Sequence, residues 1–219
     1  MLAELVPPGV AVAELSLPAT DLLPLAAAEL ESIHGARPER VAEFRAGRHC
    51  ARVALGALGL PDAVVPRAPD RSPVWPPDVV ASITHTRVGD VGYAAAAAAR
   101  RGTLAGLGID AEQPGPLEPR LARRILTPRE AALTPPGDEL ARGLHAKLCF
   151  CAKEAAYKCQ HPITGAFLEF GDVEIELGDE PGDFTATLLR SAGPLAQGTR
   201  FAGRAAVTAE LVLAVVTLR

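Results

Sequence analysis

Lysine is almost missing from this chain. Of its 22 basic residues only three are lysines, Lys147, Lys153 and Lys158, and the remainder are arginines. All three fall on one short stretch. Where arginine is the default cation, such a cluster points to a compact ammonium being wanted there. An excess of positive charge is lacking too: the net charge of −4 and pI near 5.8 argue against a general nucleic-acid-binding domain. The run 93–99 is too short and too weakly apolar to span a bilayer. No N-terminal segment combines a basic start, an apolar run and a small-residue cleavage site. The four cysteines, Cys50, Cys149, Cys151 and Cys159, form no CxxC pair. They read as small buried apolar residues in a reducing cytoplasm rather than zinc ligands. A cytoplasmic protein is therefore expected. No internal repeat is visible, and low complexity is confined to the alanine run 94–99.

What is present is ordinary for a globular protein: 48% hydrophobic and 22% charged residues, enough for a core. The length suits one large domain or two small ones. Periodicity predicts a strand over 10–15 and helices over 22–31 and 38–58. A proline-rich loop over 60–78 precedes a strand over 79–84. Strands over 91–99 and 103–109 are expected to pair as a hairpin around Arg100, Arg101 and Gly102. After a proline-rich break at 113–119 comes a short helix over 121–126. Thr127-Pro128-Arg129-Glu130 is a capping box that opens another. A long helix is predicted over 138–159. Strands over 172–177, 184–189, 201–208 and 211–218 suggest an antiparallel sheet. The fold class is α+β, in two halves, 1–105 and 106–219.

Four constellations carry chemistry. Asp110 and Glu112 close the apolar strand Gly108-Ile109-Asp110-Ala111-Glu112, and residues i and i+2 of a strand share a face roughly 6.5 Å apart. Two carboxylates so close repel unless a cation lies between them, and a hard cation such as Mg²⁺ prefers oxygen ligands. In Lys153-Glu154-Ala155-Ala156-Tyr157-Lys158, Glu154 and Lys158 are i, i+4 neighbours on one helix face. Thr84 and His85 stand at the end of a predicted strand, where His85 could donate to an anionic oxygen. The segment with Arg37, Arg40, Arg45, Arg48, His49 and Arg52 offers a solvated face or a phosphate clamp, to which arginine's fork is suited.

In this order the motifs resemble the larger, monomeric type of 4′-phosphopantetheinyl transferase. The resemblance runs from about Arg37 to Phe184. It is most specific in Gly108-Ile109-Asp110-Ala111-Glu112 and in Phe150 through Lys158. Arg48-His49-Cys50-Ala51-Arg52 and Trp75-Pro76 look like the subgroup that includes actinobacterial enzymes. Phe150 stands where many relatives carry Trp, and Thr84 where many carry Ser. Arg71 and Ser72 stand near the place where some carry a lysine.

The resemblance implies two pseudo-symmetric halves with coenzyme A in the cleft between them. It implies transfer of 4′-phosphopantetheine from coenzyme A to a serine of apo acyl or peptidyl carrier proteins, with 3′,5′-ADP released. The N-terminal half would make the nucleotide contacts and the C-terminal half would hold the metal and dock the carrier. Mg²⁺, with Mn²⁺ as the alternative, would sit on Asp110, Glu112 and Glu154. Lys153 and Lys158 would face the pyrophosphate, and Glu154 would take the serine proton directly or through water. His85 with Thr84 would contact the pyrophosphate. Arg40, Arg48 and Arg52 would face the 3′-phosphate. Carriers are typically acidic in this setting, so a basic or apolar docking surface is expected within 117–144. A monomer binding neither nucleic acid nor membrane is expected. Two competing readings use the same residues: another Mg²⁺-dependent phosphotransferase or pyrophosphatase, and a binding module without catalysis.

Overall fold

The computed structural model describes residues 1–17, 24–88, 91–134 and 137–219. The chain divides into two compact units, Met1–Ala105 and Gly106–Arg219.

The first unit is a three-stranded antiparallel sheet carrying one long helix. Its strands are β1 (Ala11–Leu17), β2 (Val79–Val88) and β3 (Val91–Arg100), in the order β1-β3-β2. The central strand β3 holds the alanine run. Alanine favours helix intrinsically, but tertiary burial overrides that preference here. Its small side chains let helix α2 (Pro38–Ala57) approach closely, and Ala46, Cys50, Ala51, Ala54 and Leu55 of α2 bury against Ala94, Ala96 and Ala98. Pro38 opens α2 at a position where its missing N–H costs nothing. The short helix α1 (Ala27–Glu31) precedes it.

The second unit is a five-stranded antiparallel sheet of order β4-β8-β7-β6-β5, with β4 (Gly106–Glu112), β5 (Val173–Leu177), β6 (Asp183–Leu188), β7 (Arg200–Val207) and β8 (Val212–Leu218). Helices α3 (Pro119–Ile125) and α4 (Pro128–Ala132) lead into α5 (Glu139–Thr164). Asp138 caps α5 by accepting from the Ala141 N–H at 2.8 Å. Gly165, at φ 62°, ends it in the left-handed conformation that glycine adopts freely. Cys149, Cys151, Ala152, Ala155, Ala156 and Cys159 bury against Val173, Ile175, Phe184, Leu188, Phe201 and Val216. All four cysteines are free and buried, as small core residues.

Both units follow one plan. Among the described residues a first strand is followed by one short helix (first unit) or two (second unit), a long helix and later strands, and the last strand returns to pair antiparallel with the first: β3 with β1, and β8 with β4. The second unit adds β5 and β6 before its last two strands.

The expected hairpin is corrected. Among the described residues strand β3 pairs with β1 and β2 alone, whereas β4 pairs with β8 about a hundred residues on. The turn at Arg100–Leu104 changes units instead of reversing the chain within one sheet. Helix α1 is shorter than 22–31; residues 22 and 23 lie outside the described residues. Strand β2 continues to Val88, so His85 sits inside it opposite Ala94 rather than at its end. Helix α5 runs past 159 through Pro162, which offers no N–H to the Lys158 carbonyl. Among the described residues no helix is long and apolar enough to cross a membrane.

Candidate functional site

The C-terminal site is built by one strand lying on one helix. Residues 106, 108, 110 and 112 of β4 share a face, and that face lies against α5. A Cβ placed on Gly108 would fall 1.9 Å from the Ala155 carbonyl oxygen, and one on Gly106 would fall 2.9 Å from that of Cys159. Backbone thus meets backbone, and only glycine permits the approach. Two residues further along this face the glycines give way to carboxylates. Lys158 Nζ donates to Asp110 Oδ1 at 2.6 Å and to the Ile109 carbonyl at 3.2 Å. Lys147 Nζ donates to Glu112 Oε2 at 3.3 Å.

Lys147, Cys151, Glu154 and Lys158 are spaced i, i+4, i+7 and i+11, one stripe along α5. The sequence pattern therefore brings Asp110, Glu112, Glu154 and Lys158 onto one strand–helix seam. Lys147 belongs with them, which the carboxylate motifs did not reveal. Its membership in the lysine cluster at the stripe's spacing was the available signal.

Electrostatics ties the three acids together. Burial pushes the Glu112 carboxyl up, Asp110 pushes it further, and Lys147 partly offsets both. Burial likewise raises Glu154, with Asp110 adding to the rise and Lys158 opposing it. Burial alone would lower the Lys158 ammonium, but Asp110 and Glu154 outweigh it and hold its pKa above the usual lysine value. Asp110 thus makes both glutamates harder to ionise. Three hard oxygen donors that repel one another suit a divalent cation such as Mg²⁺. With the side chains as they stand, no group of three His, Cys, Asp or Glu among the described residues is arranged as a metal cage. The two ammonium groups are the counter-charges instead.

Lys153 is corrected. It is 2% exposed and directs Nζ to the carbonyls of Ile125 (2.7 Å) and Phe170 (2.9 Å) and to Glu130 Oε2 (2.7 Å). An ammonium has three protons, and all three are engaged. Glu130 is fully buried. It closes the capping box with Thr127, accepting from the Thr127 N–H at 2.7 Å, and also accepts from the Ile175 N–H at 2.7 Å. Sequence reasoning saw the capping box but not the second partner of its acid.

In the N-terminal unit, Arg40 and His85 come together. Arg40 Nη1 lies 2.7 Å from His85 Nε2 and donates to Glu43 at 3.2 Å. Guanidinium can only donate, so Nε2 is the acceptor and a neutral imidazole carries its proton on Nδ1. Thr84 is buried, and as the neighbour of His85 along β2 its side chain points to the opposite face of the sheet. Thr84 and His85, both expected to contact the pyrophosphate, thus stand on opposite faces of β2.

Two of the expected clamp arginines turn inward. Arg48 is buried, lies 4.2 Å over the Phe44 ring and donates Nε to the Val65 carbonyl at 2.6 Å. Burial, with Arg40 and Arg67 adding repulsion and Glu29 opposing, pulls its pKa down to about 10. Arg52 Nη1 lies 3.9 Å from Glu29 Oε2. Glu29, fully buried, also accepts from the Ala26 N–H at 2.9 Å and the Val65 N–H at 3.0 Å. The helix face expected to display Arg45, Arg48 and Arg52 together is thus divided, with Arg45 exposed and Arg48 in the core.

The family model described as 4′-phosphopantetheinyl transferase N-terminal domain matches residues 28–99, and that of the 4′-phosphopantetheinyl transferase superfamily matches residues 106–214. The chain is 39% identical over 203 residues to 4′-phosphopantetheinyl transferase Svp of Streptomyces mobaraensis, covering 86% of this chain and 77% of that one. It is 35% identical over 183 residues to 4′-phosphopantetheinyl transferase PptT of Mycobacterium tuberculosis, covering 80% and 78%. With 4′-phosphopantetheinyl transferase Npt of Nocardia iowensis it shares 36% identity over 183 residues, covering 83% and 79%.

Proposed function

We propose, from the premise that this chain belongs to the 4′-phosphopantetheinyl transferases and moves 4′-phosphopantetheine from coenzyme A to carrier proteins, that the β4–α5 seam is where the phosphoryl group is transferred. The observation that supports this most is that Asp110 raises the carboxyls of both Glu112 and Glu154, beside a Lys158 ammonium that donates to Asp110 at 2.6 Å.

The serine hydroxyl oxygen of the carrier attacks the phosphorus that bears pantetheine. The bond from that phosphorus to the bridging oxygen breaks, and 3′,5′-ADP leaves. Glu154, whose carboxyl is raised toward neutrality, suits the role of proton acceptor, directly or through a water. Lys158 is poised to steady negative charge on the pyrophosphate as the bridging oxygen departs. Asp110, Glu112 and Glu154 would hold Mg²⁺, or Mn²⁺ in its place. When bound, the ion neutralises pyrophosphate charge. Lys147 keeps Glu112 oriented on the seam. Arg40 and His85 are assigned to the anionic groups of coenzyme A, the imidazole held by the guanidinium that donates to it.

The carrier is assigned to the segment 117–144, of which 135 and 136 lie outside the described residues. Leu121, Leu133, Leu140 and Leu144 are exposed there, among Arg120, Arg123 and Arg124. Such a surface suits an acidic, partly apolar partner. The enzyme is taken to act as a monomer and in the cytoplasm, the latter a reading that its four free buried thiols support.

The test is incubation with coenzyme A, Mg²⁺ and an apo carrier, followed by mass spectrometry of the carrier. A gain of one phosphopantetheine is expected. Release of 3′,5′-ADP without carrier modification would indicate hydrolysis and overturn the reading. Asp110→Ala and Glu154→Gln are expected to fold and to lose transfer by at least about a hundredfold. Near-normal activity in either would sink the assignment of the seam.

A further inference from the structure

Lys153 directly precedes Glu154, yet its side chain leads into the interior. With Glu130 it joins five separate pieces of chain: the end of α3 at Ile125, the cap of α4 at Thr127, α5 itself, Phe170, and β5 at Ile175. Apart from Gln160, whose amide bonds to Thr164 and Ala166 at the helix's own C-terminal end, the rest of α5's buried face is cysteine, alanine and glycine, and its contact with β4 runs through glycines. Such small, featureless surfaces define a helix's rotation and axial slide weakly, whereas hydrogen bonds from a buried ammonium have fixed directions. A buried ion pair contributes little net stability for its desolvation cost, and its best-attested use is to specify one arrangement among several. One residue on, about 100° around the helix, stands Glu154.

We propose that the Lys153–Glu130 pair is a positioning device that fixes the rotation and register of α5. It thereby sets Glu154 and Lys158 against Asp110, and Lys153 does not touch coenzyme A. The proposal rests on the transferase reading above.

The test compares the wild-type protein with Glu130→Gln, Lys153→Met and the double variant, well below their melting temperatures, with the folded fraction taken from circular dichroism. Positioning predicts that each single variant lowers kcat per folded molecule by roughly 10–100-fold, as small displacements of reacting groups do. KM for coenzyme A should move less than about threefold, since no ground-state contact is lost. The double variant, which removes both buried charges together, should melt above either single variant and be no slower than the slower of them. A contact role predicts a different pattern: Lys153→Met raises KM for coenzyme A while Glu130→Gln, which keeps the ammonium, leaves turnover near wild type. That pattern overturns the proposal. So does lowered melting temperature with unchanged kcat per folded molecule, the mark of a merely structural pair. If a single variant does not fold, the double variant decides between lost kcat and raised KM. A wild-type protein that loads no carrier overturns the transferase reading and this proposal with it, whereas an active wild type whose variants follow the contact pattern overturns this proposal alone.

Discussion

The acidity of Glu154 makes a statement about stability. Its carboxyl is raised above the ordinary 4.5, first by burial and then by Asp110. The folded state therefore holds this proton more tightly than the unfolded chain does. Below about pH 4.5 the stabilising contribution of the protonated form is fully present, and it is lost as pH rises through the elevated value. At pH 7 the ionised Glu154 is a liability to the fold. Glu154→Gln, without added divalent ions, is expected to raise the melting temperature at pH 7 by roughly 2–4 °C for each ~1 kcal/mol of relieved repulsion. The gain should shrink as pH falls toward 4. Differential scanning calorimetry across that range checks it, and a destabilised variant at pH 7 would count against the coupling. At this scale the strand and helix periodicities paired Asp110 with Glu112 and Glu154 with Lys158, whereas the meeting of the two pairs was expected only from the family resemblance. It misassigned Lys153, since its acceptors come from Ile125, Glu130 and Phe170, and no local pattern announces such a partnership.

Among the elements, β4 and α5 are pressed together by the glycines between them. Gly108→Ala would set a methyl group 1.9 Å from the Ala155 carbonyl oxygen, so strand and helix would have to part. A destabilisation of roughly 2–3 kcal/mol is expected from such overpacking, with Asp110 carried away from Lys158 and activity lost alongside. Gly106→Ala, at 2.9 Å from the Cys159 carbonyl oxygen, should cost less. Urea unfolding of the two variants would test that order. Most elements were legible: α2, α3, α4, β1 and the strands after α5 follow their periodicities and caps. The failure at the predicted hairpin is instructive. Arg100-Arg101-Gly102 has turn chemistry, but pairing β4 with β8 depends on burial of a distant strand, which no window around the turn contains. The predicted end of α5 at 159 also fell short, since the last turn tolerates the missing N–H of Pro162.

For the molecule as a whole, the shared plan of the two units extends to a buried glutamate at the third position of a short helix in each. Glu29 accepts from the Ala26 and Val65 N–H groups, and Glu130 from those of Thr127 and Ile175. Each faces a cation on its long helix, Arg52 at 3.9 Å and Lys153 at 2.7 Å. Removing the Glu130 charge strands a buried ammonium and should cost about 3–5 kcal/mol. Glu29→Gln, with the more distant partner, should cost about 1–3 kcal/mol. The two clamps share no partner, so the double variant should show the sum of the two within about 0.5 kcal/mol in denaturant titration.

The same carboxylates set how backbone protons are guarded. Val65 lies in a proline-rich connection outside every helix and strand, where an amide would ordinarily trade its hydrogen with solvent in seconds. Its N–H instead points at Glu29 in the fully buried interior. That amide can exchange only when its bond to the buried Glu29 breaks, so its deuterium uptake is a clock for local opening in the N-terminal unit, as that of Ile175, held by Glu130, is in the C-terminal one.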